Sequence, residues 1–192
     1  GMEIKLQPIA WDAKDMELES GTIDCIWNGF TMNGREDAYT WTDAYMDNTQ
    51  VFVVAADSGI TSLADLAGKT VEVQADSSAE AALKEMPDLM SSFGTVQTTP
   101  DYNTAFMDLE MGAVDAIAMD IIVAGYQIEQ RQNGCVILDE SIASEEYGIG
   151  FKKGNEALRD KVQEALEEMA ADGTMTEISM KWFGEDVTTI GK

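Results

Sequence analysis

The chain contains no histidine, which excludes Ser-His-Asp triads, histidine metal sites and imidazole acid/base catalysis. Cysteine is nearly as scarce. Cys25 and Cys135 are the only two; each lies in an apolar, strand-like run (CIW and CVIL), where free cysteine behaves as a small buried hydrophobe, so no disulfide is expected. Cations are few: 12 Lys and Arg stand against 36 Asp and Glu, a net charge of −24 that repels phosphate backbones and anionic headgroups alike. Nucleic acid is therefore not an expected partner, and the acidity reads as a solubility device rather than as a lure for a cationic ligand. No run reaches the ~18 apolar residues of a membrane span, and no basic, apolar export signal opens the chain, so direct membrane insertion is not expected. No motif calls for a metal or another cofactor.

What the chain does have is a sentence said twice. Met16 to Ile26 (MELESGTIDCI) returns as Met107 to Ile117 (MDLEMGAVDAI), with six of eleven positions identical at an offset of 91 residues. That offset exceeds the ~20 to 50 residues of solenoid repeats and suits two similar lobes. Chains near this length bury roughly 70% of their unfolded surface, enough for one large domain or two small lobes without disulfide or metal support.

Between Lys69 and Leu138 strand and helix patterns alternate: TVEVQ, Ser78 to Met86, TVQTT, Asn103 to Met111, VDAIAMD, Ile121 to Arg131, CVILD. This is a βαβ series with a parallel sheet. Ser62-x-x-Asp65 and Ser77-x-x-Glu80 carry the hydroxyl and carboxylate spacing of capping boxes. The first lobe echoes part of the series with a strand at Glu3 to Leu6, a helix near Asp12 to Glu19, Gly21 and the strand IDCIW. Nothing in it matches the strand and helix from Thr70 to Met86, so the first lobe is expected to lack an opening strand-helix unit. Val51 to Ala55 leads into the second lobe and Tyr147 to Lys152 leads back, giving a discontinuous lobe of residues 1–53 and 149–192, a second lobe of 54–148, and a hinge. Two helices, Asn155 to Ala171 and Thr174 to Trp182, should pack on lobe one, with Met169, Met175, Met180 and Trp182 read as core residues.

Ligands of open parallel sheets bind beyond the carboxyl ends of strands, where polar groups and helix N-termini converge. Asn28-Gly29-Phe30-Thr31 and then Arg35 follow IDCIW, Asp120 follows VDAIAM, and Ser77-Ser78 follow TVEVQ. A guanidinium, free N–H groups and a carboxylate together suit a zwitterion: Arg35 for its carboxylate, Asp120 for its ammonium. Alone, Arg35 is by default a solvated loop residue and Ser77 an N-cap. Asp120 ends a mostly apolar strand, where a carboxylate is costly unless it caps the next helix or meets a cation; both roles stay open. Trp11, after the Pro8 turn, and Tyr102, after Pro100, hold matching places; Tyr102 is read as packing and Trp11 as a ligand-stacking ring.

The segments GTIDCIWNGFTMNGRE, WTDAYMDN, SLADLAGKTVEVQADSSAE, MGAVDAIAMD, YGIGFKKGNEALRDKVQEAL and DGTMTEISMKWFGED, in this order and over nearly the whole chain, resemble the bilobed extracellular solute-binding proteins of amino-acid ABC importers, the group that includes glutamine- and cystine-binding members. The resemblance implies an α/β, two-lobed periplasmic-binding-protein-like (type II) fold that closes on a polar amino acid by hinge motion and delivers it to ABC permease subunits. It implies Arg35 for the ligand α-carboxylate with Gly29 and Thr31 beside it, Ser77 and Ser78 as lobe-two donors, Asp120 for the α-ammonium and Trp11 for stacking. Gln74 and Met119 fall where relatives vary with the ligand side chain. Location is implied to be extracellular or periplasmic, with a lipid anchor on the full-length chain.

Relatives carry one more residue between the glycine and the arginine than Gly29 to Arg35, and they begin with a strand and helix that this chain starts after. A sheet without that strand exposes an edge, for which a strand-exchanged homodimer is the expected remedy. Two other functions share the scaffold: a cyclohexadienyl-type dehydratase and a ligand-sensing receptor domain. No histidine, reactive cysteine or close carboxylate pair supports the first. The second needs a membrane-linked signalling segment.

Overall fold

The computed structural model describes residues 2–131 and 134–192. Along the chain the elements are α1 (Lys14–Ser20), β1 (Cys25–Thr31), β2 (Thr40–Trp41), β3 (Met46–Ala55), β4 (Thr70–Gln74), α2 (Ser78–Lys84), α3 (Pro87–Ser92), β5 (Thr95–Thr99), α4 (Tyr102–Glu110), β6 (Ala116–Asp120), α5 (Ile121–Arg131), β7 (Cys135–Ile137), β8 (Ala143–Phe151), α6 (Glu156–Ala171) and α7 (Thr174–Phe183). They form two compact units. Unit 1 comprises residues 1–9, 13–48 and 145–192, and unit 2 comprises 10–12 and 49–144, so the chain passes between them on either side of residues 10–12, within β3 and within β8.

In unit 2, β4 pairs in parallel with both β5 and β6, and β3 pairs antiparallel with β6 on one edge and with β7 on the other. The four strands of the βαβ series therefore share one direction, and β3 runs against them between β6 and β7. The parallel series read from the alternation is thus present, and β3, whose direction the sequence left open, enters it antiparallel. Its run Val51 to Val54 is at most 3% exposed, as a strand covered on both faces requires. The pleat sends Phe52, Val54, Ala116, Ala118, Val71 and Val73 to one face, where Ala79 and Leu83 of α2 pack. Val51, Val53, Ile117 and Met119 go to the other face, against Ala105, Phe106 and Leu109 of α4 and Ala124 of α5. Each such side chain, fully buried, is worth about 1.5–3 kcal/mol if large and apolar.

In unit 1, β8 is flanked by antiparallel β1 and β2. Phe30, Tyr39 and Trp41 cluster, with ring centroids 4.7–5.2 Å apart, and they press on β8 so closely that a Cβ on Gly150 would lie 2.7 Å from the Phe30 ring. Ile149 and Phe151 join Leu166 of α6, Met175 of α7 and Ile190 in a second cluster, with Met169 at its margin. Met180 and Trp182 do not join it. They are 50% and 63% exposed, because Ser179 takes the inward place on α7: its hydroxyl donates to Glu185 C=O and accepts from Val187 N–H, folding the tail back onto the helix.

The expected strand at Glu3 to Leu6 is absent. Residues 2–10 carry no regular structure, with Ile4 and Leu6 77% and 87% exposed; a lone extended segment gains no ladder hydrogen bonds, and strands need neighbours to persist. The repeat, by contrast, is reproduced atom for atom at its turns. Gly21 (φ 79°) and Gly112 (φ 71°) follow α1 and α4 in the left-handed region that glycine tolerates without penalty. Gly21 N–H donates to Leu18 C=O, and the Thr22 and Ile23 N–H groups donate to Glu17 C=O; Gly112 donates to Leu109, and Ala113 and Val114 to Asp108. Ser62 forms a complete capping box with Asp65. Ser77 does not, since its hydroxyl accepts from Glu80 N–H while the Glu80 carboxylate reaches Asp76 N–H instead.

Candidate functional site

In unit 1 the polar residues gather around the end of β1. Strand pairing of Thr31 with Tyr147 brings Thr31, 1% exposed, beside the start of β8, where its hydroxyl donates to Glu145 Oε2 at 2.8 Å and Asn48 Nδ2 donates to the same oxygen at 3.2 Å. Arg35 lies in the turn that follows. Its guanidinium sits over the Phe30 ring, 5.4 Å from the centroid, and donates to Thr31 C=O at 3.3 Å, while its own carbonyl accepts from the Trp41 indole at 3.1 Å. The aromatic cluster thus holds the arginine by face and by backbone. Gly29 (φ 59°) permits the approach of the Tyr147 ring, which a Cβ there would meet at 3.1 Å; Asn28 beside it is exposed.

In unit 2 the residues converge at the carboxyl end of β6. Asp120, 8% exposed, closes that strand opposite Gln50, which is fully buried. Gln50 Nε2 donates to Asp120 Oδ1 at 2.8 Å and to Ser78 Oγ at 3.3 Å, so one amide joins two of the residues singled out from the sequence. Ser77 serves as N-cap of α2, a helix of two turns only. Gln74 ends β4 with its amide donating to Pro100 C=O at 3.0 Å. Met119 is fully buried in the apolar cluster of α4 and α5, and strand alternation puts it on the face opposite Asp120. Trp11, half-buried, opens a single 3₁₀ turn at Trp11–Ala13.

The structure therefore brings Thr31 together with Arg35, and Ser78 with Asp120. It adds Asn48, Glu145 and Gln50, which sequence reasoning missed because a polar residue inside a strand looks like an outward-facing one. The signal available for Gln50 was its place directly before the unbroken apolar run Val51 to Ala55.

Cys25 and Cys135 are free thiols, one in each unit, and burial pushes both thiols up from their ordinary pKa, against nucleophilic reactivity. Among the described residues no three acidic or cysteine side chains are placed to hold a metal ion, and no helix is long and apolar enough to cross a membrane.

Residues 1–185 match the model of the bacterial extracellular solute-binding proteins, family 3. The chain is 32% identical over 191 residues to the L-cystine-binding protein TcyJ of Escherichia coli strain K12, covering 98% of this chain and 70% of that protein. Among solved structures, a substrate-binding protein of an ABC uptake transporter from Streptococcus pneumoniae with bound histidine superposes with a TM-score of 0.93 at 34% identity, covering 98% of this chain and 79% of that one. An ancestral arginine-binding protein bound to arginine gives a TM-score of 0.85 at 37% identity, covering 96% and 82%. Mixed strand order, two units and this breadth of likeness define the two-lobed, type II periplasmic-binding fold. The chain belongs to the family of bacterial extracellular solute-binding proteins, family 3. The relatives named here are binding proteins, not enzymes.

Proposed function

We propose that the chain binds a polar α-amino acid and presents it to the permease subunits of an ABC importer, making and breaking no bond. Arg35 takes the α-carboxylate with Thr31, Asn28 and Gly29 beside it; Asp120 takes the α-ammonium, with Ser77 and Ser78 as its polar neighbours. Trp11 supplies a stacking ring and Gln74 tunes side-chain preference, whereas Met119, fully buried in the apolar cluster on the face opposite Asp120, is assigned no part in it. The observation that carries the reading is Asp120: a nearly enclosed carboxylate at a strand end, tied by Gln50 to Ser78. The relatives whose ligands are cystine, histidine and arginine support an amino acid as the ligand class. A ligand with a higher affinity for one conformation shifts the protein toward it by that differential affinity.

Isothermal titration with L-cystine, L-arginine, L-histidine and L-glutamine tests the assignment. Arg35→Ala and Asp120→Asn should each weaken the bound probe by at least tenfold, about 1.4 kcal/mol, and removal of a desolvated charge partner commonly costs 2–5 kcal/mol. Both variants binding within threefold of the parent would overturn it, and turnover of prephenate would favour the dehydratase instead. A strand-exchanged homodimer extends the same reading, supported by the exposed apolar side chains of Met2, Ile4 and Leu6 and by β1 ending the strand order. A monomeric mass by light scattering at high concentration would contradict it.

A further inference from the structure

Gln50 is wholly enclosed, yet its amide does not serve the fold as an apolar residue would. The β3–β6 register sets Gln50 and Asp120 directly opposite each other, and opposed residues of an antiparallel pair carry their side chains on the same face with Cβ atoms roughly 4.5–5.5 Å apart. Nε2 then spans the gap to Asp120 Oδ1 at 2.8 Å and continues to Ser78 Oγ at 3.3 Å. Its backbone is pinned as well, since Ile142 N–H donates to Gln50 C=O at 2.7 Å. Side chain and main chain are both held, and the shorter of the two amide hydrogen bonds is the one to the carboxylate.

We infer that Gln50 is a positioning residue for ligand binding: by donating to one carboxylate oxygen it sets the rotation of the Asp120 carboxylate and stabilises its charged form, and through the same nitrogen it fixes the Ser78 hydroxyl. This rests on the assignment of Asp120 to the ligand ammonium. The residue type matters. A leucine of similar volume would leave Oδ1 without that donor in a nearly enclosed place, and a glutamate would set two carboxylates against each other, so that one must hold a proton.

The test uses Gln50→Leu and Gln50→Glu, each alone and combined with Asp120→Asn. Binding of L-arginine, L-histidine, L-glutamine and L-cystine is titrated between pH 5 and pH 8, alongside the ¹³C chemical shift of the Asp120 carboxyl in ligand-free protein. Gln50→Leu should weaken the bound probe tenfold or more, and that loss should shrink to within threefold once Asp120→Asn is present. The affinity of Gln50→Glu relative to the parent should climb as pH falls, because the introduced carboxyl can donate only when protonated. In Gln50→Leu the Asp120 carboxyl should titrate at higher pH than in the parent. Equal losses with and without Asp120→Asn, or an Asp120 titration that does not move, would overturn the inference. Should Asp120→Asn alone bind like the parent, or no probe bind at all, the ligand assignment fails, and the ligand-free titration still decides whether Gln50 governs Asp120.

Discussion

The segments Met16–Ile26 and Met107–Ile117 are one peptide set in two surroundings. Both leave a helix through a left-handed glycine, both return two successive N–H groups to a single carbonyl, and both bury the same leucine, Leu18 at 3% and Leu109 at 4%. Their aspartates part company. Asp115 accepts the Thr70 N–H at 2.8 Å, starting the parallel ladder of β6 with β4, and lies 3.7 Å from Lys69. Asp24, its counterpart, is exposed. Local turn geometry follows from the residues themselves, whereas the work a side chain does depends on which strand lies alongside.

Substitutions at matched positions sharpen or break this comparison. The largest effects belong to the leucines: Leu18→Ala and Leu109→Ala should each destabilise by about 2–5 kcal/mol in chemical denaturation, with similar values for the two. A large disparity would mean that the peptide's packing is not equivalent in the two units. Next come the aspartates. Asp115→Ala should cost about 1.5–3 kcal/mol for a lost charge-assisted hydrogen bond, and Asp24→Ala within about 0.5 kcal/mol as an exposed substitution; equal costs would erase the distinction.

The smallest effect concerns Glu72, which lies 2% exposed on β4. Burial first, then the nearby Asp108, raises its pKa above the ordinary carboxylate value. Its proton is therefore held more tightly in the folded protein, so its contribution is fully present below the unfolded pKa of about 4.3 and is lost as pH rises through the raised folded value. Glu72→Gln should flatten that decline and melt higher than the parent at pH 8. A parent melting point that rises across this window with no difference from Glu72→Gln would contradict the burial argument.

Much of this was legible beforehand. The alternation from Lys69 to Leu138 placed its strands and helices in the right order because each has its own period and turn residues, but it missed the short α3 (Pro87–Ser92) between α2 and β5. β3 escaped as an intercalated antiparallel strand because a short apolar run reveals burial but not direction. Glu3 to Leu6 has strand periodicity without a strand partner, and pairing, unlike periodicity, is non-local. Arg35 and Asp120 stood out as charges after apolar strands. Asn48 and Glu145 did not, since lone polar residues in strands reveal their burial only once register is known, and Gln50 was marked only by its place before the apolar run Val51 to Ala55. Met180 and Trp182 were misread as core for a related reason: the tail's return onto Ser179 is a tertiary contact that helical spacing cannot foresee.

The account stands most directly on one thermal-shift titration of the unmodified chain against the standard amino acids, cystine and prephenate. A ligand at a hundredfold excess over its dissociation constant stabilises the native state by about 2.7 kcal/mol, which for a chain near this size raises the melting point by roughly 5–10 °C. The account predicts such a rise for one or two polar amino acids and none for prephenate; a flat response to every amino acid, or a rise with prephenate alone, would contradict it.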